Sequence, residues 1–136
     1  MTRQVELPAA LASAIGVQAR AASPRECCGL LEGVRGNGGF RVAALHPVRN
    51  LSPDAAHFAM DPQDQFAAQR AARANGRSII GCYHSHPGGL AQPSAADQAG
   101  AGEENFLWLI AGDEDLRAFV YLDGEFFGAD WVTSSE

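Results

Sequence analysis

The sequence predicts a mixed α/β domain, and three observations carry that expectation. Two segments, 7–20 and 61–74, bear helix signals. Between five and seven short apolar runs, among them 78–85, 106–111 and 116–122, are separated by Gly, Asn, Asp or Pro turns. The 136 residues suffice for one core and are too few for two ordinary ones, so residues 1–136 read as a single domain. Helices interspersed with short strands indicate a sandwich in which a mixed β-sheet is flanked by helices.

Taken in order, Leu7, Leu11, Ala14 and Ile15 recur at helical spacing, with Pro8 acceptable in a first turn. Residues 27–34 form an apolar run closed by Gly33, and 40–48 form a second. The Arg35-Gly36-Asn37-Gly38-Gly39 turn joins them, so the pair predicts a hairpin with a loop longer than two residues. A polar loop covers 50–56, and 57–60 is a short candidate strand. Asp61 and Pro62 then read as cap and first turn of a helix ended by Asn75-Gly76. Residues 78–85 suit a buried strand, 87–93 a loop and 94–102 a short helix. Strands at 106–111 and 116–122 flank an acidic turn, and Asp123-Gly124 leads into a last short strand at 125–128.

Composition excludes several functions. A formal charge of −6 argues against a nucleic-acid partner, which needs a basic surface. All ten basic residues are arginine, so lysine chemistry is excluded. No apolar run approaches the ~20 residues of a membrane span. Glu6 and Pro8 interrupt the place where a secretion signal would be unbroken, so the expectation is a cytoplasmic protein. Cys27, Cys28 and Cys82 are odd in number and lie in apolar stretches, which favours free, buried thiols over disulfides.

Unusual chemistry is concentrated in one stretch, Gly81–Asp97. If 78–85 is a strand, His84 and His86 project from one face near its end, where Pro87 breaks it. Ser94 and Asp97 are three apart and share a face of the following helix. Two imidazoles and a carboxylate with an open fourth place are a ligand set of catalytic zinc sites, and nitrogen-rich coordination favours zinc over other divalent ions. Ser94-Ala95-Ala96-Asp97 is equally readable as a capping-box variant. Capping accounts for those residues, but not for the histidines, the proline break or the glycine-rich loop. By strand parity Ser85 points to the opposite face and is structural, while Cys82, Tyr83 and Trp108 read as core.

The segment resembles the JAMM/MPN+ metalloproteases, whose signature is His-x-His, a seven-residue loop starting with Pro, then Ser-x-x-Asp. Here His84-Ser85-His86 is followed by the 87–93 loop, with Ser94 eight and Asp97 eleven positions after His86. Upstream, Pro24-Arg25-Glu26-Cys27-Cys28-Gly29-Leu30-Leu31-Glu32-Gly33 is similar to the stretch carrying that family's catalytic glutamate. The resemblance aligns on Glu26; Glu32 is a rival by composition, further along the same strand.

What the resemblance implies is a stand-alone bacterial-type member with an MPN sandwich, distantly like the cytidine deaminases. His84, His86 and Asp97 would bind one zinc per chain, with Glu26 as general base then acid and Ser94 as oxyanion donor. The substrate would be a ubiquitin-like or sulfur-carrier protein, cut after a Gly-Gly C-terminus, for example to release cysteine from a carrier adduct. Such a tail can bind as an added strand. Competing readings are a non-catalytic MPN-type scaffold and a zinc hydrolase of another amide. Deamination is disfavoured because no Pro-Cys-x-x-Cys element is present.

Overall fold

The computed structural model describes residues 4–36 and 38–133. Its elements are β1 (Gln4–Glu6), α1 (Ala9–Ala22), β2 (Cys28–Gly36), β3 (Gly39–Val48), α2 (Pro62–Ala74), β4 (Ser78–Ser85), α3 (Ala95–Gly100), β5 (Phe106–Ala111), β6 (Leu116–Leu122) and β7 (Glu125–Val132). The mixed α/β class holds. The sheet, however, is not an open layer between helices: it runs β1-β3-β2-β4-β5-β6-β7 and closes into a barrel.

Closure rests on β1, where Val5 pairs in parallel with Phe40 of β3 on one side and Trp131 of β7 on the other. β7 reaches Val132 rather than stopping near Gly128, because its last residues, Asp130–Val132, pair with β1 after its first part has paired with β6. The β2–β3 hairpin is tighter than expected, with Gly36 opposite Gly39 and two residues between them, of which Asn37 lies outside the described residues. The expected strand at 57–60 contributes a single bridge, Met60 to Asn50.

Helix starts follow their sequence signals. Asp61 accepts the Gln63 N–H at 2.9 Å with Pro62 in the first turn of α2. Two apolar layers lie back to back on β4 and β5. Val5, Ile15, Leu31, Ile80, Tyr83, Leu107 and Leu109 form one, against α1. Cys28, Leu30, Cys82, Trp108 and Ile110 form the other, with Phe58 and Met60 packed on it. Burial on both faces explains why these strands read as nearly unbroken apolar runs. A bulge in β4, where Ile80 is passed over between Ile79 and Gly81 in the pairing with β2, resets the parity. Ile80 and Tyr83 therefore share one layer, while Cys82 takes the other. Replacing a fully buried residue such as Leu109 by Ala would cost about 2–5 kcal/mol.

Two glycines permit the close packing. A Cβ at Gly81 would stand 2.1 Å from the Leu107 carbonyl oxygen of β5, and one at Gly29 2.3 Å from the Tyr83 ring. The Tyr83 hydroxyl donates to Gln18 of α1 at 2.7 Å. Because β4 and β5 are parallel, with His84 opposite Ile110, their carboxyl ends open on the same side. That is where ligands are held in parallel α/β sheets. All three cysteines are free, and no helix among the described residues is long and apolar enough to cross a membrane.

Candidate active site

At the end of β4, His84 is fully buried between Cys28 of β2 and Ile110 of β5. His86 lies just beyond the strand, its N–H donating to the Ala111 carbonyl at 2.8 Å. The two Nε2 atoms stand 3.0 Å apart. Asp97 Oδ2 is 3.1 Å from the first and 3.3 Å from the second. His86 Nδ1 lies 2.9 Å from the Leu90 carbonyl, to which it donates, so its Nε2 turns a lone pair toward the cluster.

The structure also realises the capping reading of the next helix. Ser94 Oγ accepts the Asp97 N–H at 3.0 Å, and Asp97 Oδ2 accepts the Ser94 N–H at 2.9 Å. One carboxylate oxygen thus serves the cap and faces both imidazoles.

The arrangement fits a divalent cation. A tetrahedral ion with bonds of about 2.0–2.1 Å to N and O has donor–donor edges of about 3.3–3.4 Å. The three separations of 3.0, 3.1 and 3.3 Å are close to such a face. Lone pairs brought this near one another repel unless a proton or a cation lies between them. The His84 ring is walled in by Phe58, with ring centroids 4.6 Å apart, and by Trp108 at 5.8 Å. Its Nδ1 has no hydrogen-bond partner among the described residues.

Glu26, two residues before the start of β2, is buried beside this cluster. A carboxylate oxygen of Glu26 and a ring nitrogen from each histidine lie within 4.8 Å of one another. Burial pushes the Glu26 carboxyl up to about 7, against the pull of His86. For Asp97 burial acts the same way, but the bonds with His84 and His86 win and hold it well below the usual carboxylate range. Burial lowers His84, whereas the bond with Asp97 raises His86.

The cluster opens into a cavity of about 660 Å³ lined by Glu26, Ser94, Asp97, His57, Phe58 and Trp108, among others. A second cavity of about 430 Å³ shares Glu26 and Ser94 and is walled by Pro24, Leu90 and Pro93. All five residues singled out from the sequence therefore meet in one place. Glu32 does not: its carboxylate is bound by His46, Asn75 and Arg77. Cys82 and Trp108 are buried as expected, yet both also line the larger cavity.

His57 and Phe58 were not legible as site residues. His57 Nδ1 bonds Asp54 at 2.7 Å and its ring borders the cavity. They arrive on an irregular loop, where no periodicity announces which side chains face inward.

Known proteins resemble this chain over most of its length. Residues 8–122 match the family described as prokaryotic homologues of the JAB domain. The chain is 31% identical over 105 residues to a desampylase of Haloferax volcanii, covering 76% of this chain and 74% of that protein. It is 34% identical over 105 residues to a probable TtuB-protein conjugate cleaving protease of Thermus thermophilus, covering 76% and 66% of the two chains. The solution structure of a Desulfitobacterium hafniense protein superposes with a TM-score of 0.87 at 30% identity, over 97% of this chain and 94% of that one.

Proposed function

The chain belongs to the prokaryotic homologues of the JAB domain and is a metallopeptidase-type hydrolase, and we propose that it is a zinc-dependent, single-domain enzyme cutting the amide bond after a Gly-Gly C-terminus. The substrate is a ubiquitin-like or sulfur-carrier protein. Its leaving group is an amine, either of a second protein or of a single amino acid such as cysteine.

His84, His86 and Asp97 would hold one zinc per chain. Bound there, zinc supplies an acidified water and a Lewis acid for the scissile carbonyl. Glu26 takes a proton from the attacking water and passes it to the nitrogen as the C–N bond breaks. Burial raises this carboxyl and so favours its proton-carrying form, which the second half of that exchange needs. Ser94 Oγ already accepts from the Asp97 N–H, which leaves its own O–H free to donate to the developing oxyanion. Phe58 and Trp108 pack edge to face on each other, lie against the His84 ring and wall the cavity beside it, and a Gly-Gly end, having no side chains, suits so narrow an approach.

The observation that supports this most strongly is the meeting of three donor atoms at 3.0–3.3 Å beside a buried, uncommitted carboxyl. The substrate class draws its support from the relative named as a protease of TtuB-protein conjugates. Three free thiols support a reducing, cytoplasmic setting.

The test is incubation of zinc-loaded protein with a Gly-Gly carrier bearing a C-terminal cysteine or a linked protein, read by intact mass. Release of the adduct, abolished by chelator, is expected. An unchanged mass at one zinc per chain overturns the proposal and leaves a non-catalytic scaffold or a zinc hydrolase of another amide.

A further inference from the structure

We propose that Asn50 and Ser85 are positioning residues that clamp the Glu26–Cys27 peptide from both ends and thereby aim the Glu26 carboxyl. The inference rests on the base role given to Glu26 above and extends it to two side chains that neither bind the ion nor face the cluster: Asn50, and Ser85 at the middle position of His-x-His.

Glu26 precedes the first residue of β2, so its peptide lies outside the named strand. Side chains hold it instead. The Asn50 Nδ2 donates to the Glu26 carbonyl at 3.0 Å. The Cys27 N–H, at the other end of the same peptide unit, donates to Ser85 Oγ at 2.9 Å, and the Ser85 N–H returns to the Cys27 carbonyl at 3.2 Å. With its oxygen and its hydrogen both taken, that peptide plane cannot rotate without breaking a partly buried bond, and its orientation sets where the Glu26 side chain points.

Asn50 is fully used. Its Nδ2 also donates to the His57 carbonyl at 3.1 Å, while Oδ1 accepts from Ser52 at 3.0 Å and Ala59 at 2.9 Å. Two carbonyls on one end and two N–H groups on the other admit a single amide orientation. The same residue therefore seats the loop that brings His57 and Phe58 to the cavity. Ser85, 2% exposed between the two histidines, turns its hydroxyl to the face away from them, as strand parity requires.

The chemistry makes this sensitive. A general base must sit within about 2.6–3.2 Å of the proton it takes, and a displacement of about 1 Å can cost about 100-fold in rate. Asn50→Asp keeps the shape but sets a carboxylate oxygen against two carbonyls; Ser85→Ala removes one hydroxyl.

Both substitutions are made in the wild-type chain and in Glu26→Gln, zinc-loaded, with the carrier assay read over long incubations. In the wild-type background kcat is expected to fall about 10- to 100-fold, with zinc content unchanged, faster exchange of the Cys27 amide and, for Ser85→Ala, which leaves the His57–Phe58 loop in place, an unchanged KM. In Glu26→Gln the further loss should vanish, since there is no base left to misplace. Equal losses in both backgrounds, or an unchanged kcat, overturn the clamp. Wild type and Glu26→Gln turning over alike would instead overturn the role of Glu26 itself. Should Asn50→Asp fail to fold, Ser85→Ala, with rescue by Ser85→Thr, decides the question.

Discussion

Two glutamates six residues apart experience burial in opposite ways. Glu26 is 7% exposed and Glu32 is 0% exposed, yet the first carboxyl is pushed up to about 7 while the second is lowered. Burial disfavours the charge on both. For Glu32 it is outweighed by the bonds from His46 at 2.8 Å, Arg77 at 2.8 Å and Asn75 at 3.0 Å. The Glu26 carboxylate has no hydrogen-bond donor of that kind among the described residues, and its charge is only partly offset by His86. A buried acid with its partners in place is structural; one left without them can move a proton. Six residues separate the two acids, Glu32 within β2 and Glu26 just outside it.

Substitution can break this contrast or sharpen it. The largest effect should come from Asp97→Ala, which removes the carboxylate nearest both histidines and is expected to lose zinc and turnover together, read by metal analysis and the carrier assay. Glu26→Gln should retain one zinc per chain and the wild-type melting temperature but slow hydrolysis by about 10²–10⁴-fold. Unchanged turnover there would remove the basis for separating the two acids. Glu32→Gln should do the reverse, keeping kcat while costing about 1.5–3 kcal/mol in urea unfolding, because Arg77 and His46 lose a charged acceptor.

The smallest effect is a dependence on pH. The folded pKa of Glu32 lies below its unfolded value, so its contribution is present above about pH 4.3 and is lost as pH falls through the folded value. The stability gap between wild type and Glu32→Gln should therefore be constant near neutrality and close on acidification. A gap that widened in acid would mean that Glu32 is not held ionised.

Much of this was legible because the decisive signals are local. His-x-His at a strand end, a Ser-x-x-Asp helix start and Asp61-Pro62 each depend on residues within a turn of one another, and the structure has each in its expected element. What escaped depends on distant partners. Gln4–Glu6 is too short to show periodicity, and it becomes a strand only because β3 and β7 lie on either side. Residues 57–60 look strand-like in composition, but the Asn50 side chain takes up the Ala59 N–H and the His57 carbonyl, so the segment is tied into a loop. Choosing between Glu26 and Glu32 needed the resemblance to a family, since the residues that engage Glu32 come from β3 and from the turn after α2.

Asp97 Oδ2 belongs at once to the helix cap and to the cluster of imidazoles. Occupancy of the proposed ion site and order of the helix start would therefore be thermodynamically linked: a cation that neutralises the crowded lone pairs would also steady α3, and an intact first turn presents the carboxylate ready-made. Zinc titration should slow amide deuteration at Ser94 and Asp97 before any substrate is added, so the enzyme carries in its own backbone a reporter of whether it is armed.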